Sequence, residues 1–159
     1  MAELERRLAE AEAALITLDE VAIKSPRSLI ERDGAILRLI YTFEAVWKAS
    51  QQLLAKREGI DVGSPNAAIR AARRVGWLSD EDSRAALQLG QDRNLAVHMY
   101  RGEIGALIDE HLASHAGLLR VGWVPCDRQS AANDMQSKAS QGSDGCFQWR
   151  RRACASASR

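Results

Sequence analysis

Apolar residues recur at helical spacing through most of this chain, and this pattern restricts the fold more than any other feature. In the first segment they are separated by steps of 4, 3, 4, 3 and 4 residues, at Leu4, Leu8, Ala11, Leu15, Leu18 and Ala22. Such steps place side chains on one face of an α-helix. The sequence contains no internal repeat and no run of alternating apolar and polar residues, the pattern typical of strands. The chain is therefore predicted to be all-α, beginning with a helix of about twenty residues.

Two serine-proline pairs predict where the next helices begin. Serine is favoured at the N-cap and proline at the first helical position. Ser25-Pro26 therefore predicts a long second helix that stops at Gly59. Ser64-Pro65 predicts a short third helix that ends at Gly76.

Two more helices are predicted in the second half of the domain. Ser79, with Asp82 three residues later, is typical of a capping box. The fourth helix is predicted to begin there and to run on until Gly102 breaks it. A fifth helix is predicted from Glu103 to about Leu119. About five helices joined by short connections predict an antiparallel bundle.

The helical pattern stops near residue 120. A chain of 159 residues with 46% hydrophobic residues can bury one core and hardly two. We therefore predict a helical bundle domain at 1–120 and a low-complexity, disordered tail at 121–159. The three cysteines all fall in the tail without metal-ligand spacing and are predicted to be incidental thiols. The N-terminus does not resemble a signal peptide and no apolar run is long enough to cross a membrane, so a cytoplasmic location is expected.

The charge balance argues against a broad surface for nucleic acid. Residues 1–120 carry 16 Lys and Arg against 18 Asp and Glu, whereas residues 121–159 carry 6 against 3. A protein that binds nucleic acid through a wide basic face has a stronger positive balance in its folded part. If this domain acts on RNA, we expect it to do so through a local pocket, and we expect no DNA partner.

The stretch DRNLAVHMYR at 92–101 carries the most chemistry in the chain. Arg93 can hold an anionic phosphate, and Asn94 can orient the group to be cleaved. His98 can transfer a proton near neutral pH, and Tyr100 offers a hydroxyl that can itself be modified. An Arg–His pair at this spacing is expected about 0.3 times by chance, but adding the tyrosine lowers the expectation to about 0.005. The combination therefore predicts phosphodiester chemistry that needs no metal and no cofactor.

The predicted fourth helix would place these four polar side chains on one arc and turn Leu95, Ala96 and Met99 toward the core. Asp92 would fall within the apolar arc, where it is either a buried partner for an arginine or an N-cap. The arginine and the histidine would point about 140° apart, so one copy surrounds a phosphate poorly. Two copies related by a two-fold axis would form one composite cleft, which predicts a homodimer.

Three other polar features have two interpretations each. His111 and His115 have the spacing of two metal ligands on a helix, but no third ligand is evident nearby, so exposed or capping histidines are favoured over a metal site. Glu44 is either an ion-pair partner of Lys48 on the same helix or an anchor for an arginine. A basic patch on the third helix is either a solvated face or a contact for a nucleotide or RNA, and comprises Arg70, Arg73 and Arg74.

Three segments together resemble the HepT-like branch of the HEPN superfamily, whose members are also called nucleotidyltransferase substrate-binding proteins. They are RDGAILRLIYTFEAVWK at 32–48, SPNAAIRAARRVGWL at 64–78 and DRNLAVHMY at 92–100. The resemblance covers about residues 1–120. It implies a helical bundle that dimerises, a ribonuclease site built from the Arg93 and His98 of both copies, and a minimal nucleotidyltransferase as antitoxin partner.

The resemblance also implies that the antitoxin attaches AMP to Tyr100 and so blocks the RNA cleft. The sequence departs from the commoner family pattern at Ala96-Val97, at Met99 and at Arg101-Gly102, which affects the expected substrate preference more than the chemistry. Two hypotheses follow. The first is a metal-independent endoribonuclease toxin, and the second is a non-catalytic subunit that presents a substrate, or its own tyrosine, to a nucleotidyltransferase.

Overall fold

The computed structural model describes residues 2–121, with side chains through residue 120, as five α-helices without a strand in that range. The predicted all-α bundle is confirmed. The predicted tail at 121–159 lies outside the described residues except for Val121, which ends the last helix. The helices are α1 (Ala2–Ala22), α2 (Leu29–Leu53), α3 (Pro65–Arg74), α4 (Asp80–Leu95) and α5 (Gly102–Val121).

The start of α2 differs from the prediction. Its N-cap is Ser28, whose hydroxyl accepts a hydrogen bond from the backbone N–H of Glu31 at 3.3 Å. The Glu31 carboxylate accepts one from the Ser28 backbone N–H at 2.8 Å, which completes a capping box. Ser25-Pro26 is a cis peptide in the preceding loop and does not begin the helix. The pair was misassigned because a better cap with the right spacing follows it.

The next boundaries follow the predicted signals closely. After Leu53 the helix widens into one π-helical turn, Leu54–Glu58, which ends at Gly59 in the left-handed conformation with φ of 65°. Glycine adopts this conformation without a steric penalty. Helix α3 begins after Ser64, whose hydroxyl accepts from the backbone N–H of Ala67 at 3.3 Å.

Helix α4 begins as predicted but ends earlier than predicted. Its N-cap is Ser79, whose hydroxyl accepts a hydrogen bond from the Asp82 backbone N–H at 3.0 Å. The helix ends at Leu95 and is followed by a single 3₁₀ turn, Ala96–His98. Gly102 is the first residue of α5 and does not break α4. The polar motif therefore straddles a helix end.

The core lies between α1, α2 and α5, with α3 and α4 packed against them. Its largest fully buried side chains come from every one of the five helices and from the π-helical turn: Leu18, Ile36, Leu39, Phe43, Leu53, Leu54, Ile69, Leu89, Ile108, Leu112 and Leu119. Among the described residues, no helix is both long enough and apolar enough to span a lipid bilayer.

Arg27, in the loop before α2, contacts both α1 and α5. Its guanidinium donates to the carbonyl oxygens of Val21 and Ala22, at 2.8–3.2 Å, and so provides hydrogen bonds to carbonyls of the last turn of α1. It also pairs with the Asp109 carboxylate of α5 at 2.7 Å. Because the Arg27 side chain is almost fully buried, this junction fixes where α5 crosses the end of α1.

Two leucines of α2 provide a direct test of the packing. Leu39 is 1% exposed and Leu37 is 54% exposed. We expect Leu39→Ala to lower the free energy of unfolding by about 2–5 kcal/mol, because it leaves a cavity in the core. Leu37→Ala makes the same change on the same helix and should cost about 0.5 kcal/mol or less. Urea unfolding of both variants decides this, and equal losses would contradict the described burial.

Candidate functional site

Arg93 is held in place by a carboxylate on α2. Its Nη2 lies 2.7 Å from Oε1 of Glu44, and the other carboxylate oxygen of Glu44 accepts a hydrogen bond from the Trp47 indole N–H at 2.8 Å. Of the two interpretations of Glu44, the structure shows the arginine anchor, because its ion-pair partner is Arg93 and not Lys48. Because Glu44 is itself held by Trp47, the orientation of the arginine is set by two residues of a neighbouring helix.

The Arg93 guanidinium retains hydrogen-bonding capacity. Nη1 donates to the side-chain oxygen of Asn94 at 3.1 Å, whereas Nε is buried and has no hydrogen-bond partner. A buried donor without a partner is costly unless a bound group or water satisfies it. The guanidinium lies at an open cavity of about 260 Å³, which is lined by Phe43, Glu44, Trp47, Ser64, Pro65, Asn66, Gly90, Arg93 and Asn94.

This cavity joins three helices. Ser64, Pro65 and Asn66 form the N-terminal end of α3, where backbone N–H groups and the helix dipole favour a negative charge. Gly90 of α4 lies opposite, and a Cβ added there would come within 3.5 Å of the Asn66 side chain. A cation, an amide and an indole therefore surround a space large enough for a small anionic or aromatic group.

His98 and Tyr100 lie beyond the end of α4, in the 3₁₀ turn and the turn after it. Both are exposed, Tyr100 to 80%, and their ring centroids are 6.1 Å apart in an edge-to-face arrangement. Neither residue lines the cavity at Arg93, and no hydrogen bond or ion pair in residues 2–121 joins His98 to Arg93. Within one copy, the arginine contacts the asparagine and the histidine ring faces the tyrosine ring, and no described contact joins the two pairs.

The helical arc predicted for the motif is wrong from Leu95 onward, because α4 ends at that residue. Leu95 was expected to face the core but is exposed, whereas Ala96 is buried as expected and Met99 is only half-buried. The chain leaves the α-helical path after Leu95. The α-helical rotation of about 100° per residue therefore no longer predicts the direction of each side chain.

The basic patch on α3 is exposed. Arg70, Arg73 and Arg74 all face solvent, and Arg73 donates to the Asp80 carboxylate at 2.6 Å. The hydrogen bond from Arg73 lowers the pKa of Asp80 below its ordinary value. Arg70 and Arg74 form no ion pair within the described residues, and a contact with nucleotide or RNA stays a prediction for them.

Asp92 occupies a buried position between α4 and α5. It is 1% exposed, and its Oδ2 lies 2.8 Å from Nδ1 of His111 and 2.7 Å from Nε2 of His115. Its other oxygen accepts from the Gln88 side-chain amide at 3.0 Å. The sequence left two roles open for Asp92, a buried partner of an arginine or an N-cap. The structure shows a buried side chain, but its partners are histidines and not an arginine.

The sequence favoured exposed or capping roles for His111 and His115, and this cluster corrects that expectation. His115 is 5% exposed rather than surface-facing, and Asp92 supplies the third metal-ligating group that the sequence did not reveal. Burial raises the pKa of Asp92, but hydrogen bonds from His115, His111 and Gln88 outweigh that effect, so its pKa lies below the ordinary value. Burial lowers the pKa of His115 despite the opposing effect of Asp92. Asp92 is therefore ionised and His115 neutral near pH 7.

Most of the helical bundle matches a known family of proteins. The family described as nucleotidyltransferase substrate binding protein like matches residues 6–115, and this chain belongs to that family. The chain is also similar to a protein from Thermus thermophilus with a known crystal structure. That similarity has 46% sequence identity and a TM-score of 0.69, and covers 70% of this chain and 93% of the other. Among curated proteins, none matches this chain.

Trp47 and the start of α3 are parts of the site that the sequence reasoning did not identify. Trp47 is three residues after Glu44, a spacing that places both side chains on one face of a helix. That spacing was a signal for the indole-carboxylate contact. The approach of Ser64 and Asn66 to Gly90 had no comparable signal, because it depends on how α3 packs against α4.

Proposed function

We propose that this protein is a metal-independent endoribonuclease toxin whose activity depends on Arg93, Asn94 and His98. The observation that carries the proposal is the Arg93 guanidinium, which is oriented by Glu44 at an open cavity and belongs to a side chain that is 38% exposed. A fixed and accessible cation is suited to an RNA phosphate. The resemblance to HepT-like proteins implies the same activity, and all four residues of the motif are present: Arg93, Asn94, His98 and Tyr100.

In the proposed reaction the ribose 2′-hydroxyl attacks the adjacent phosphate. His98 removes the hydroxyl proton as general base, and Arg93 stabilises the negative charge that builds on the phosphoryl oxygens. The 5′-oxygen of the next nucleotide leaves and takes up a proton from water, which gives a 2′,3′-cyclic phosphate and a free 5′-hydroxyl. Neither a metal ion nor a cofactor takes part. The exposed position of His98 supports this role, because an RNA strand can reach it.

The active unit is proposed to be a homodimer. Among the described contacts none joins Arg93 to His98, and His98 does not line the cavity at Arg93, so the proposal places the Arg93 and His98 of two copies in one shared cleft. Exposed apolar side chains around the histidine support this arrangement, since Leu95, Val97 and Tyr100 are the kind of surface that a partner covers.

The proposed regulator is a minimal nucleotidyltransferase that transfers AMP from ATP to the Tyr100 hydroxyl. The family name supports an association with a nucleotidyltransferase. The phenol is accessible, and the attached phosphate and base would occupy the surface beside His98 where RNA must bind. The alternative of a non-catalytic binding subunit is less favoured, because Arg93 and His98 are both present.

Removing the arginine tests the proposal. We expect Arg93→Ala to reduce cleavage of total RNA by about 100-fold to 1,000-fold, the effect of losing one group that stabilises transition-state charge. The matched control is Arg84→Ala, which removes an exposed arginine from the same helix and should cleave like the wild type. Cleavage is measured in EDTA on gels of total RNA. Equal activity of Arg93→Ala and Arg84→Ala would overturn the role of Arg93.

A further inference from the structure

The Asp92 cluster lies apart from the groups used in the proposed reaction. His111 and His115 are one helical turn apart on α5 and both point at one carboxylate oxygen of α4. The three ligating atoms all lie within 4.8 Å of one another. Two imidazoles and one carboxylate that converge from two helices form a ligand set that is common for Zn²⁺ and similar ions.

The charge of the cluster favours a cation. Asp92 is nearly inaccessible to solvent, and within residues 2–121 no lysine or arginine pairs with it. Its hydrogen bonds come from two imidazoles and one amide, which satisfy its oxygens without supplying a fixed positive charge. These hydrogen bonds stabilise the carboxylate, and a divalent ion between the same groups would supply the positive charge that the described lysines and arginines do not.

The side chains must move to accept an ion. The two nitrogen-oxygen distances of 2.7 and 2.8 Å are hydrogen-bond lengths, and the three ligating atoms lie within 4.8 Å of one another. Ligand atoms placed about 2.0–2.2 Å from one tetrahedral ion lie about 3.3 Å apart, so each nitrogen-oxygen pair must separate by about half an ångström and the two nitrogens must also come to about 3.3 Å. The ring nitrogen that binds the ion must carry no proton, so each imidazole binds as the tautomer whose proton is on the other ring nitrogen. The His111 side chain is 35% exposed, which provides an entry route and space for a water ligand.

We propose that Asp92, His111 and His115 bind one divalent transition-metal ion of the Zn²⁺ type, which fastens the end of α4 to α5. Gln88 holds the second carboxylate oxygen and so orients Asp92 toward the ion, as supporting residues of metal sites do. Because Asp92 directly precedes Arg93, the ion would stabilise the helix end that carries the arginine. The role is structural and distinct from RNA cleavage.

Calorimetric titration with Zn²⁺ tests this proposal in the full-length chain after removal of metals by a chelator. Cysteines also bind Zn²⁺, so every variant carries serine in place of Cys126, Cys146 and Cys154. We expect one ion per chain and a higher melting temperature when Zn²⁺ is present. Co²⁺ should bind to the same site and give the absorption bands of a tetrahedral complex.

Substitutions then assign the ligands. His111→Ala should weaken Zn²⁺ binding by at least about 100-fold, more than the loss of a supporting residue. Gln88→Ala should weaken it by about 10-fold. His98→Ala, which removes an exposed histidine outside the cluster, should bind as the unsubstituted protein does. Circular dichroism checks that each variant is folded, and Asp92→Asn is a second ligand variant of unchanged size.

Two outcomes overturn the proposal. One is the absence of stoichiometric binding, which would make the cluster a hydrogen-bonded link alone, and the other is a His111→Ala variant that binds as tightly as the His98→Ala control. Because the titration contains no RNA, its result is independent of the ribonuclease activity. A protein that binds Zn²⁺ but cleaves nothing refutes only the proposed function, and one that cleaves RNA but binds no ion refutes only the metal site.

Discussion

His98→Ala is expected to lower RNA cleavage by about 1,000-fold, within the range of about 10²–10⁴ that general acid–base catalysis contributes. His98 is the group proposed to remove the 2′-hydroxyl proton, and an alanine offers no acceptor in its place. The melting temperature should change little, because His98 is exposed and contributes little packing. Expression of the variant should also no longer inhibit growth, in contrast to the wild type.

Cleavage by His98→Ala is measured with purified protein and total RNA, next to wild type at equal concentration. His98→Gln is a second variant that keeps a polar side chain without a group that titrates near neutral pH. We expect it to be as inactive as the alanine variant. Activity of His98→Gln close to wild type would show that His98 only forms a hydrogen bond, and the proposed general base would be wrong.

Tyr100→Phe is expected to abolish modification by the nucleotidyltransferase while retaining most RNA cleavage. The substitution removes only the phenol oxygen, and this oxygen transfers no proton in the proposed reaction. Tyr100 is 80% exposed, so its hydroxyl is accessible to a second enzyme. After incubation with the partner and ATP, the wild-type mass should increase by one or more AMP units and its cleavage should fall. The variant should show neither change.

The chain contains a matched control for this experiment, because Tyr41 is its only other tyrosine and is partly exposed. Tyr41→Phe should be modified to the same extent as wild type. If Tyr100→Phe gains AMP, or if Tyr41→Phe does not, the acceptor is not Tyr100. An unmodified wild type that is nevertheless inhibited would mean that the partner acts by binding alone.

The helical class and most helix boundaries could be predicted because the signals for them are local. Ser64-Pro65, Gly59 and Ser79 each lie within a few residues of the boundary that they determine. The end of α4 has no such signal, since neither glycine nor proline follows Leu95 before Gly102. Packing between helices decides it, and packing overrides local propensity.

The partners of the motif residues were predictable to different extents. Glu44 was recognised as a candidate arginine anchor because it lies beside an apolar stripe of α2, where a carboxylate needs a partner. The pairing of Asp92 with His111 and His115 was not foreseen, because it joins residues separated by 19 and 23 positions on two different helices. Periodicity shows which face of a helix is buried but not which helix it contacts.

The chemical identity of the RNA ends is the most direct test of the proposed ribonuclease. Wild-type protein is incubated with a defined single-stranded RNA in EDTA, and the fragments are analysed by mass spectrometry. The proposed reaction predicts fragments that end in a 2′,3′-cyclic phosphate and begin with a 5′-hydroxyl, formed by the wild type and not by His98→Ala. Intact RNA, fragments with 5′-phosphates, or cleavage that requires added Mg²⁺ would contradict the proposed mechanism.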